Sequence, residues 1–174
     1  MYGSEIKVIL QSESCVRDYF IGVFSSDKLP ELPRVPCILI ANTDPEHLPG
    51  SHWVAIWIDE AATAYFFDSY GLPPSVYGNA FTNFLTHNST RQLYQKHQLQ
   101  SHSSAVCGQW CIYFSYWICR LGIDGVVQLF DIIGGFNVPN NDYHMLSFLR
   151  GKSLALNARA SRCNQSCKCM DGVM

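Results

Sequence analysis

Residues 107–122, CGQWCIYFSYWICRLG, constrain this chain more than any other stretch. The segment is apolar nearly all round, interrupted by Gln109, Ser115 and Arg120. A helix with no polar face must be enclosed by other elements, so the pattern predicts a core helix with the rest of the chain packed around it. Gly122 is the kind of residue that ends such a helix, because it enters the left-handed conformation at little cost. The run CIYFSYWIC is nine residues long. A membrane-spanning helix needs about 20, so the segment reads as core and no membrane partner is expected.

The surrounding sequence supplies the layers. Residues 4–13 show helical spacing, with Ser4 as N-cap and Ile6, Ile9 and Leu10 on one face. PCILIAN (36–42) reads as a buried strand. HWVAIWID (52–59) and TAYFFDSYG (63–71), joined by EAA, read as an antiparallel hairpin. A helix is expected from Pro73–Pro74 to about His87, a short strand within 92–100, and helices near 124–133 and 140–150. This order predicts an α+β domain with a central mixed or antiparallel sheet around the buried helix. With 174 residues, 48% of them hydrophobic, the chain suits one core. The expected division is one domain over 1–156 and a polar, Cys-rich tail over 157–174.

The net charge of −2 and pI near 6.3 are not those of a dedicated nucleic-acid binder. Eight cysteines stand at 15, 37, 107, 111, 119, 163, 167 and 169. The N-terminal MYGSEIKVILQS has no basic segment followed by an apolar one, so no signal peptide is read. Most of the cysteines lie in apolar runs, where the free thiol acts as a small hydrophobe. The expectation is an intracellular, reducing compartment. Cys163, Cys167 and Cys169 form C-x3-C-x-C, with His144 upstream. Structural zinc uses paired C-x2–4-C units, so no metal site is expected from one irregular cluster.

Four residues carry chemistry when taken together. Cys107 opens the core helix, where unpaired backbone N–H groups and the positive dipole end favour a thiolate. His52 opens a strand after the turn PGS and can serve as general base. Asp68 ends the apolar run TAYFF on the next strand, where a carboxylate can accept from His Nδ1–H and steady the imidazolium. Gln100 precedes Cys107 by seven residues, and its amide can donate to an oxyanion beside the backbone N–H of the cysteine. Each alone has an ordinary structural explanation. The order His, Asp, Gln, Cys is what points to nucleophilic catalysis.

That order sits in stretches that resemble the adenovirus-type cysteine proteases (adenain), and more distantly the ubiquitin-like-protein proteases that share their fold. The stretches are SEIKVIL, DYFIGVF, NT…GSHWVAIW, YFFDSYG and Q-x6-C-G-x2-C, over roughly residues 4–122, with a weaker similarity in DYHMLSFL. The resemblance implies a papain-like, adenain-like fold with Cys107 as nucleophile, His52 as base, Asp68 as third member and Gln100 in the oxyanion hole. At the third position the adenovirus enzymes look to have Glu and the ubiquitin-like-protein proteases Asp. The Gln-to-Cys gap of seven resembles the adenovirus branch. It implies a cysteine endopeptidase acting on viral-type structural precursor proteins at Gly-containing sites, encoded by a virus or virus-like transposon, in the host nucleus or the virion.

The adenovirus enzymes take an activating peptide, disulfide-bonded upstream of the nucleophile, and DNA. Here no cysteine lies between 38 and 106 and the chain is slightly acidic, which argues against both activators. The chemistry itself requires no cofactor. Two alternatives share these motifs: a deubiquitinase or SUMO-type isopeptidase, and an inactive protease fold used as a binding module.

Overall fold

The protein is seen here as a computed structural model that describes residues 1–134, 138 and 140–152. The expected tail over 157–174, with Cys163, Cys167 and Cys169, lies outside the described residues.

The chain opens with helix α1 (Gly3–Ser12), which buries Ile6 and Leu10. Ser4 lies inside the first turn and does not cap it. Instead the Glu5 carboxylate accepts from the Tyr2 N–H at 2.7 Å, which places a negative charge at the positive helix end. Ile9 turns partly outward. Five strands follow: β1 (Phe20–Phe24), β2 (Cys37–Asn42), β3 (Trp53–Ile58), β4 (Thr63–Phe67) and β5 (Arg91–Tyr94). They form one mixed sheet in the order β1-β2-β3-β4-β5. β2, β3 and β4 pair antiparallel, while the edge strands β1 and β5 run parallel to their neighbours.

Every residue of β2 and β4 is buried, so neither strand shows the alternation of a half-exposed strand. Both faces of the sheet are covered. Ile38, Ile40, Ala55, Trp57, Tyr65 and Phe67 pack with Trp110, Phe114 and Ile118 on one side. Leu39, Val54, Ile56, Ala64 and Phe66 meet Phe81, Phe84 and Leu85 on the other. β1 was not expected. Gly22 breaks its apolar pattern and shifts its register against β2, so the strand lacks a clean period.

Beyond β4 the expected single helix is two. A 3-10 turn (Pro74–Tyr77) comes first, and helix α2 (Asn79–Asn88) follows. Gly78, at φ +92°, separates them. Helix α3 (Cys107–Gly134) is the predicted core helix, with Trp110, Cys111, Ile112, Phe114 and Ile118 buried. It ends its apolar half at Gly122, where φ is +66°, and the chain then continues into a second helical stretch. Residues 140–152 are helical again. The architecture is the α+β domain expected, with a mixed sheet and the Cys107 helix against it.

Candidate active site

The hairpin brings His52 and Asp68 together. His52 immediately precedes β3 and Asp68 immediately follows β4. The last ladder pair is Ala55 with Phe67. One step further Val54 lies opposite Asp68, so His52 is its diagonal neighbour on the same face. The imidazole spans that diagonal with its far nitrogen: Nε2 lies 2.7 Å from Asp68 Oδ1. The expectation that Nδ1 would face the carboxylate is therefore corrected. A directly opposite pair would have used the near nitrogen, and the diagonal offset requires the far one.

Asp68 is fully buried and accepts four hydrogen bonds. Oδ1 takes His52 and the Tyr70 N–H at 2.9 Å, and Oδ2 takes the Leu72 N–H at 3.1 Å and the Tyr77 hydroxyl at 2.8 Å. The turn after β4 thus closes around the carboxylate. Gly71, at φ +74°, makes the turn, and a Cβ there would meet the His97 carbonyl carbon at 2.8 Å. Tyr77 also stacks on His52, ring centroids 5.8 Å apart, and Tyr70 stacks on it at 4.8 Å. The sequence offered no signal for Tyr77, whose position depends on how the 3-10 turn folds back.

Cys107 is the first residue of α3 and is partly buried. Burial pushes its thiol pKa up. Hydrogen bonding to His52, the N–H groups of Trp53 and Gly108 and the imidazolium charge outweigh burial, so the pKa falls below the ordinary value. Burial alone would lower His52. Its hydrogen bonds to Asp68 and Cys107, with their charges, raise it to about 9. The two shifts run toward each other, as a thiolate–imidazolium pair requires. Cys111, one turn on and fully buried, goes the opposite way: desolvation lifts its pKa well above the ordinary value.

Gln100 is also fully buried. Its Oε1 accepts from Ser69 Oγ at 2.8 Å, and its Nε2 donates to the Ser104 carbonyl at 2.8 Å and to the Tyr70 hydroxyl at 3.2 Å. The loop between Gln100 and Cys107 is tied to Asp142. Oδ2 accepts from Ser101 N–H at 3.1 Å and Ser104 Oγ at 2.8 Å, and Oδ1 from Trp110 Nε1 at 2.8 Å. Neither Asp142 nor Tyr70 was among the expected site residues. The four that were, Cys107, His52, Asp68 and Gln100, converge at one end of the sheet.

Among the described residues no group of three or more His, Cys, Asp or Glu could hold a metal ion. No helix among them is long and apolar enough to cross a membrane.

No family profile matches the chain. A curated protein named Protease, from Porcine adenovirus A serotype 3, is 29% identical over 111 residues, covering 55% of this chain and 53% of that protein. The chain thus spans about half the length of the curated relative it matches. Among solved structures, ChlaDub1 of Chlamydia trachomatis has a TM-score of 0.46 at 18% identity, covering 70% of this chain and 61% of that one. The central domain of an uncharacterised Legionella pneumophila protein has a TM-score of 0.49 at 14% identity, covering 90% and 98%. The match to the adenovirus protease, taken with the order of the motifs from His52 to Cys107, places the chain in the adenain-like protease family.

Proposed function

We propose that this chain is a cysteine endopeptidase in which Cys107 attacks, His52 transfers the proton, Asp68 orients His52, and Gln100 belongs to the oxyanion hole. The observation that carries the reading is the opposed pair of shifts at the head of α3: the thiol of Cys107 lowered, the imidazole of His52 raised to about 9. Such a pair supplies thiolate before substrate arrives, so no later step need generate the nucleophile.

In this reading the Cys107 thiolate attacks the peptide carbonyl. A C–S bond forms and the carbonyl π pair moves to oxygen. The pair returns as the C–N bond breaks, and His52 gives its proton to the departing amine. A water then loses a proton to His52 and attacks the thioester. The acid product leaves, and the thiolate–imidazolium pair is restored.

The substrate is a polypeptide held extended beside Trp53. Close packing at the nucleophile supports small residues next to the cut bond. A Cβ on Gly108 would already meet Ile6 and Met1 side-chain atoms at 3.2 Å. With the family resemblance, this favours Gly-containing sites in structural precursor proteins.

Cys107→Ala tests the reading. Peptide cleavage should vanish while the thermal melt is kept, since Cys111 is buried and its thiol protonated. Retained turnover would overturn the assignment. A peptide series aliphatic-X-Gly-Gly, with Leu or Phe in place of the second Gly, tests the substrate. Equal kcat/KM across the series, or capture of the chain by a ubiquitin-derived electrophile, would replace precursor processing with a broader or deconjugating activity.

A further inference from the structure

Gln100 cannot donate directly to a substrate as the side chain is held. It is 0% exposed, and its amide hydrogens go to the Ser104 carbonyl and to the Tyr70 hydroxyl oxygen. A carboxamide has two N–H donors, so none is left for an oxyanion. Tyr70 is placed differently. It is half-buried, and its ring stacks on His52 on one side and on the exposed His102, at 5.4 Å, on the other. Its oxygen accepts from Gln100, and its own O–H has no acceptor among the described residues. Burial first, and then the negative charge of Cys107, hold the phenol above its ordinary pKa, so the hydroxyl stays protonated while the site works. The Cys107 charge acts on it ahead of that of Asp68, which ties Tyr70 to the nucleophile's side of the site.

We propose that Tyr70 is an oxyanion-hole donor whose O–H binds the carbonyl oxygen of the substrate while Gln100 polarises it from behind. The inference rests on the protease reading. No proton is transferred. As the C–S bond forms and the π pair reaches oxygen, the Tyr70 O–H donates a hydrogen bond to that oxygen, beside backbone N–H groups at the head of α3. The Gln100 Nε2–H bond to the phenol oxygen then strengthens in series, because linked hydrogen bonds polarise one another. When the pair returns to re-form the carbonyl, both bonds relax. Gln100 is thereby a positioning residue, and Tyr70 touches the reacting atom.

Tyr70→Phe removes only the O–H and keeps the ring, the stack and the backbone bond to Asp68. On a peptide or activated ester it should lower kcat about a hundredfold with little change in KM, the loss typical of one oxyanion donor. Gln100→Ala should fall similarly, and the double variant should be about as slow as the slower single, since the two act in series. Alkylation of Cys107 by iodoacetamide passes through no oxyanion and should proceed at the wild-type rate in Tyr70→Phe. Wild-type kcat in Tyr70→Phe would overturn the inference. So would alkylation that falls in parallel with kcat, for then the ring serves only the ion pair. Failure of the underlying reading looks different: the wild-type chain would alkylate at Cys107 yet cleave neither peptide nor ester.

Discussion

Asp68 sets how strongly His52 holds its proton, and that strength is measurable. The lowered Cys107 pKa and a His52 pKa near 9 bound a window in which both partners are charged. Activity should rise as Cys107 deprotonates, below the usual thiol range, and fall as His52 deprotonates near 9. Asp68→Asn removes the hydrogen bond and charge that raise His52. The alkaline limb should therefore move to lower pH, with kcat down by orders of magnitude. An alkaline limb that stays near 9 in the variant would detach Asp68 from His52. At this scale the sequence is most informative where a reactive residue type stands at an element's end, as Cys107, His52 and Asp68 do. It is silent on which ring nitrogen faces which partner, because that follows from the diagonal offset of two strands. It is equally silent on Tyr70 and Tyr77, whose aromatic rings look like ordinary core or turn residues until the chain beyond β4 folds back.

The loop before α3 is a device of its own. Between Gln100 and Cys107 it has no regular structure, yet Asp142 fastens it by Ser101, Ser104 and Trp110. Ser104 in turn presents the carbonyl that Gln100 holds. A carboxylate can accept from all three donors. An amide in its place turns an NH2 toward at least one of them and leaves that donor buried without a partner, at a cost of about 1–3 kcal/mol. Asp142→Asn should lower the melting temperature and kcat together, while Cys107 alkylation keeps its rate because the head of α3 is held by its own packing. Unchanged kcat would show that the loop does not depend on this anchor. The elements themselves were legible to unequal degrees. α3, β2 and the β3–β4 hairpin have long apolar runs or clear turns. β1 is broken by Gly22, and the Pro73–His87 helix is split by Gly78, where positive φ ends one turn before the next begins. Short-range patterns do not register such breaks.

At the scale of the whole molecule, one aromatic layer joins the sheet to the catalytic helix. Two long-range consequences follow from composition and packing. With a net charge of −2 the chain has no excess of cations to gather phosphates, so added duplex DNA should leave kcat/KM unchanged at low salt. A DNA-stimulated rate would point to a local basic surface that the net charge hides. The second consequence concerns Phe114. It is fully buried in α3 and stacks on Phe67 of β4 with ring centroids 4.6 Å apart and on Tyr65 at 5.7 Å. It also lies 6.3 Å from Phe130, beyond the Gly122 break, so one ring links the sheet, the apolar half of α3 and the stretch that follows. Removing it leaves a cavity that packed neighbours on three sides cannot close, and Phe→Ala changes of this kind cost about 3–5 kcal/mol. For a domain of this size each kcal/mol lowers Tm by roughly 2–4 °C, so Phe114→Ala should melt roughly 6–20 °C lower. The site should be spared below that melt. Cys107 is about two helical turns away, roughly 10 Å along the axis, and His52 and Asp68 are fixed by the hairpin and its turn, not by Phe114. Active-site titration of the variant at low temperature should therefore give near-wild-type turnover per reactive thiol. A matching loss of kcat would mean that the layer sets the pitch of α3 at Cys107, and that core and site are one mechanical unit.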